Sequence, residues 1–317
     1  MINSQGTKPA GKKNRLSVRL LVISLVVAAF GFGTVFMLDA LDIAPLGIRR
    51  ADNDLLRLWN ESDYDAVLQT ANAILEDRPF DGEALTFGGF AEFYTGIEIV
   101  EQSVQRDHLS RSIALLRKAL HVPRAPLAAE RDYVLAKAYY HKGDEYVDLS
   151  VRYMERSLEN GYVATDSRTY LGLGYARLGQ YEASVAWLER AIETAAPEDV
   201  NAVRIRAAES YVAISDYESA IRTLRAAVDA LDDEFLILMA RNQLASVLIL
   251  DEQFGAAESL LGDTIEQFDE SADAYYYLGI VHDETERDVQ ARALWRTAIA
   301  IDPNHTGALQ RLANWGN

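Results

Sequence analysis

Two hydrophobic patterns divide this 317-residue chain. Leu20 to Leu38 reads LLVISLVVAAFGFGTVFML, without a charged residue. At ~1.5 Å per residue, a helix of that length covers about 28 Å, close to the ~30 Å hydrocarbon core of a bilayer. From about residue 51 the pattern changes. Apolar residues recur at helical spacing, broken by short polar turns, and the whole scheme repeats every ~34–37 residues. Proline and glycine number only 7 and 19, and valine-rich alternating runs are absent after residue 50. The pattern therefore predicts helices, arranged as repeated pairs.

The clearest unit is Ala272–His305, with Tyr275, Leu278, Gly279, Ala291, Trp295, Ala298 and Pro303. Counting Ala272 as position 1, small residues stand at positions 8, 20 and 27, where two antiparallel helices must approach closely. Large residues stand at positions 4, 7 and 24 and fill the space around them. This arrangement resembles the tetratricopeptide repeat (TPR) family. Similar units begin at Ala129 (Leu135, Ala136, Tyr139, Gly143), Thr165 (Leu171, Gly172, Tyr175, Gly179), Asn201 (Ala208, Tyr211, Ala220, Leu224) and Leu238 (Leu244, Ala245, Leu248, Ala257). The reading is five repeats over 129–305, preceded by degenerate or stretched TPR-like helices over 51–128. Residues 94–110 read as an insertion. A short cap helix follows over 306–317, with Asn304 as candidate N-cap and Ala308, Leu309 and Leu312 on its inward face. The fold class is thus all-α: an α-solenoid of stacked antiparallel helix pairs behind one N-terminal transmembrane helix. The resemblance implies a right-handed superhelix whose first helices line a concave groove, and a protein-binding role.

Charge orients the anchor. Lys8, Lys12, Lys13, Arg15 and Arg19 precede the apolar run, and only Arg49 and Arg50 follow it closely. The positive-inside rule then places residues 1–19 in the cytoplasm as a basic tail. Residues 20–38 span the membrane, 39–50 link, and the repeats lie on the far side. This makes a single-pass membrane protein of a bacterial inner membrane type. Cleavage after Ala29 as a signal peptide would leave the apolar stretch Phe30–Leu38 at the new N-terminus, so the anchor is the better reading. The whole chain has a formal charge of −17 although its first 50 residues are net basic. The repeats are therefore strongly acidic, which disfavours nucleic acid as a partner.

Catalytic signatures are missing. There is no cysteine, which excludes disulfides, zinc–cysteine sites and cysteine nucleophiles. The five histidines (His108, His121, His141, His282, His305) have no helical metal-site spacing. Neither a nucleophile elbow nor a phosphate-binding glycine loop occurs. Asp232-Asp233-Glu234 and the acids from Asp283 to Asp288 lack calcium-loop spacing and read as solvated turns. His282 reads as a packing residue. The sequence thus predicts no enzyme, no cofactor and no bound metal.

The groove is the remaining candidate. Positions 2, 5, 9 and 12 of each first helix usually face it in the family. By resemblance the partner-binding residues are Glu130, Tyr133, Lys137, Tyr140, Asp166, Thr169, Glu209, Asn242, Asp273 and Tyr276. Asp166 and Thr169 stand where a carboxylate-clamping TPR would want positive charge or amide, so that subtype is not matched. The expected partners are other proteins, offering basic or helical segments, with the N-terminal helix in the membrane. The expected role is a membrane-anchored scaffold or adaptor. A self-assembling structural component of a membrane-associated complex is the alternative.

Overall fold

The computed structural model describes residues 53–314. The tail, the Leu20–Leu38 span and the linker lie outside the described residues. Among the described residues no helix is long and apolar enough to cross a membrane. These residues form fifteen α-helices and no strand, and they fall into two compact units divided at Pro126/Leu127.

The first unit holds α1 (Asn53–Asn60), α2 (Tyr64–Asp77), α3 (Gly82–Ile97) and α4 (Gln102–Ala119). Asp63 and Asp81 start α2 and α3 as N-caps, accepting from the Ala66 and Ala84 amides. The stretch read as an insertion, 94–110, is helical except for a short turn: with 16 and 18 residues, α3 and α4 are long, and residues 98–101 turn between them. Gly89 permits their close approach, since a Cβ there would overlap Leu116. Trp59 packs against Tyr64, Phe87, Phe90 and Tyr94, with ring centroids 5.4–5.9 Å away. Buried Glu92 faces His108 Nδ1 at 2.6 Å and accepts from Arg111 Nε at 2.8 Å, which ties α3 to α4.

The second unit is a TPR-like solenoid. Its helix pairs are α5 (Ala128–Lys142) with α6 (Val147–Glu159), α7 (Ser167–Arg177) with α8 (Tyr181–Ile192), α9 (Val200–Ala213) with α10 (Tyr217–Val228), α11 (Glu234–Leu250) with α12 (Phe254–Gln267), and α13 (Ala272–Glu284) with α14 (Asp288–Ile301). A final helix, α15 (Thr306–Ala313), covers the end. Two pairs show the same device: a small residue on the first helix faces a large one on the second. Gly172 faces Leu188, and Gly279 faces Trp295, which is 0% exposed. The turn inside each pair needs one left-handed residue. Gly179 supplies it where the sequence allows, but Ser215, Glu252 and Glu286 occupy the equivalent place at φ near +60°.

Three of the four successive pairs of first helices touch: α5 meets α7, α7 meets α9, and α11 meets α13. Among the described residues no two second helices pack to a comparable extent. The first helices therefore share one inner face of the unit. The cap helix begins differently from the expectation. His305, not Asn304, is its N-cap: His305 Nδ1 accepts from the Ala308 amide at 3.1 Å. Asn304 instead donates its own amide to Asp302. Of the three expected inward residues, Ala308 is buried and Leu312 packs on the Trp295 cluster, but Leu309 is exposed.

Candidate functional site

The inner face divides into a paired half and an open half. On α5 and α7 the polar groups satisfy each other. Tyr133, 3% exposed, donates its hydroxyl to Asp166 Oδ1 at 2.6 Å. Lys137 Nζ donates to Asp166 Oδ2 at 2.8 Å and to the Tyr133 oxygen at 3.1 Å. Its ammonium also lies over the Tyr170 ring, 4.8 Å from the centroid. Tyr140 packs edge-on to Tyr170 and carries the Arg177 guanidinium 4.1 Å above its own ring. His141 Nε2 meets the Tyr170 hydroxyl at 2.8 Å. Burial, with Lys137 and Arg177 nearby, pushes the His141 pKa down to about 3, so the ring is neutral. Burial likewise raises Tyr140 and Tyr170. Of the candidate residues here, Tyr133, Lys137, Tyr140 and Asp166 thus join repeats to each other. Glu130 and Thr169 are half-buried at the edges.

On α9, α11 and α13 the face is more open. Glu209 is exposed and paired only with Arg206 one turn away. Asp273 is exposed, 3.1 Å from His305 Nε2. Tyr276 packs against the His305 ring, with centroids 4.8 Å apart and the planes tilted by 47°. Phe235, Met239, Asn242, Ser246 and Ile249 share one stripe of α11, spaced four, three, four and three residues apart. Phe235 and Met239 are 46% and 47% exposed. Asn242 is only 8% exposed, and its Oδ1 has no hydrogen-bond partner among the described residues, while its Nδ2 reaches Ser271 at a long 3.4 Å. A buried acceptor left unmatched costs about 1–3 kcal/mol, so this position is strained toward a donor.

Sequence reasoning missed two features. One is the extra first turn of α11. The repeat template starts at Leu238, but the helix starts at Glu234, capped by Asp233 accepting from Leu236. An Asp before an apolar run is an N-cap signal that could have found it. The other is a recurring bond between repeats. Tyr175 donates to Glu155 and Tyr211 to Glu189, each acid lying on the preceding second helix. His282 takes the same repeat position and faces Glu258 at 3.4 Å. Arg287 also grips Glu258, at 2.6 and 2.8 Å. Glu258 is accordingly held below its ordinary pKa, chiefly by the Arg287 hydrogen bond.

No group of three or more His, Asp or Glu among the described residues could hold a metal ion. The family model described as tetratricopeptide repeat matches residues 147–200 and 242–306. No curated protein matches the chain. Among solved structures, the C-terminal part of a TPR repeat-containing protein from Cytophaga hutchinsonii is similar in fold. It has a TM-score of 0.60 and 14% identity, covering 82% of this chain and 99% of that one. Two others align less well. YrrB, a TPR protein with an unusual peptide-binding site, gives a TM-score of 0.38 and 20% identity over 77% of this chain and 97% of that one. The Cut9–Hcn1 hetero-tetramer structure gives 0.48 and 14% over 92% and 52%. Family match and fold likeness together support tetratricopeptide repeats in this chain, and proteins built of such repeats in general mediate protein–protein interactions.

Proposed function

We propose that the protein is a membrane-tethered interaction scaffold that holds a partner segment along the inner face of α9, α11 and α13. The single observation that carries this is the α11 stripe. Two half-exposed apolar side chains lie beside a buried carbonyl oxygen that lacks a donor. An extended or helical segment laid there would take the two exposed apolar side chains out of water. The paired residues of α5 and α7 offer no such demand, so they serve as the stem of the site.

The Leu20–Leu38 run and the excess of Lys/Arg before it support an anchor with the repeats outside the cytoplasm. Tethering confines the repeats to the membrane face and raises their effective concentration for other membrane-bound proteins. Protease added outside spheroplasts then digests the repeats, and full protection would reverse the topology. Affinity purification from native membranes tests the site. Phe235→Ser with Met239→Ser, both changes at half-exposed positions, should lose the co-purifying partner while melting like the wild type. Unchanged recovery would remove α11 from the site.

A further inference from the structure

The first turn of α11 differs from those of the neighbouring first helices in what it exposes. It adds Glu234–Ile237 before the repeat proper, so five consecutive apolar residues, Phe235 to Met239, open the helix. None of the five is buried. A run of that kind on a helix surface is out of keeping with a water-facing end. It is preceded in the chain by Asp229, Asp232 and Glu234, all exposed and none in an ion pair within the described residues, with Asp229 sharing a surface pocket with Arg222 and Arg225. The bases near this edge are committed elsewhere or stand apart. Arg204 bonds Asn201 and the Ala226 carbonyl, Arg241 bonds Gln267, and Arg225 lies one turn before Asp229 without an ion pair to it. Further along the same helix face, the Oδ1 of Asn242 stays buried and unmatched.

From this juxtaposition we infer that the apolar ledge at the start of α11, with its acidic rim, docks a segment of another protein in which bulky apolar side chains alternate with Lys or Arg. The inference rests on the scaffold reading and narrows it, naming the chemistry of the partner. The ledge takes the apolar side chains out of water. The rim carboxylates meet the basic ones. The rest of the inner face gives no such preference, because Asp166, Asp273 and Asp283 already face Lys137, His305 and Arg311. The rim is exposed, so its contribution is screened by salt, whereas that of the ledge is not.

The test uses the full chain in its native membrane, with a photoreactive benzoylphenylalanine at Phe235 or, separately, at Ser246, and sequencing of the crosslinked peptide. The expected adduct at Phe235 maps to a foreign segment mixing Leu, Ile or Phe with Lys or Arg. Its yield should fall at least five-fold in the Asp229→Asn, Asp232→Asn, Glu234→Gln variant, which keeps the Asp233 cap, and in the wild type in 0.5 M salt, with salt having little effect on the variant. An adduct to an acidic or uncharged segment, to lipid or to a second copy of this chain overturns the inference. So does a yield indifferent to the triple variant. An adduct at Ser246 with none at Phe235 removes the ledge but leaves the scaffold reading standing. Silence at both positions removes both.

Discussion

Lys137 Nζ lies 2.8 Å from Asp166 Oδ2, and this ion pair joins the first helix of one repeat to the start of the next. Both residues sit on the face that a partner would use, yet each is occupied by the other and by Tyr133. Their role is to hold two repeats in register. Asp166→Ala removes the carboxylate that pairs with a largely buried ammonium and accepts from the Tyr133 hydroxyl. It should lower stability by about 1–3 kcal/mol in denaturant titrations of the full chain. Partner recovery from membranes should stay at the wild-type level. A loss of partner with no loss of stability would return these residues to the binding site.

The small-against-large rule predicts opposite signs for two glycines. A Cβ at Gly279 would overlap the Trp295 ring, whose Nε1–H also donates to the Tyr276 carbonyl at 3.1 Å. Gly279→Ala should therefore destabilise by about 1–3 kcal/mol through overpacking. Gly262, on α12, has nothing within 4 Å of its would-be Cβ. There Gly262→Ala should stabilise by about 0.5–1 kcal/mol through helix propensity alone. Melting curves of the two variants check both signs.

Acid should weaken the repeats through His141. Its folded pKa is about 3, against an ordinary 6.5, because burial and Lys137 disfavour the charged ring. Between those values the unfolded chain binds a proton that the folded chain refuses. Stability is therefore full above pH 6.5 and falls as the pH drops toward 3. His141→Gln should flatten that limb of the stability–pH curve. An unchanged slope would assign the acid sensitivity to other groups.

The left-handed turn residues are a separate reserve. Glu252 sits at φ 57° where Gly179, in its own repeat, sits at φ 71°. A residue with a Cβ pays about 1 kcal/mol for that conformation. Glu252→Gly should raise the stability by up to about 1 kcal/mol. The same change at helical Ala256 should lower it by about as much. Both are read in one denaturation series.

The repeats were legible because their demands are local. Ala272–His305 displays Gly279, Ala291, Trp295 and Ala298 at fixed offsets, and these residues are the ones that pack together. The state of the inner face was not legible. Whether Tyr133 is free or bound depends on Asp166, 33 residues away, and on how two repeats are rotated relative to one another. No spacing rule inside one repeat contains that rotation. The buried Asp132, held by Arg156 on α6, was hidden for the same reason. The start of α11 was obscured by the repeat template itself, which placed the boundary at Leu238 and hid Phe235 in a turn. At the cap, Asn304 has the better capping propensity, but His305 wins because its ring also packs against Tyr276 and bonds Asp273.

The central claim is that α11 and its neighbours, not α5 and α7, hold the partner. Hydrogen–deuterium exchange on the full chain, with its co-purified partner and after the partner is stripped by salt, tests it most directly. The account predicts slowed exchange in the partner-bound state across 234–250 and 272–284, with 128–142 and 167–177 unchanged. Protection confined to 128–142 and 167–177 would contradict it.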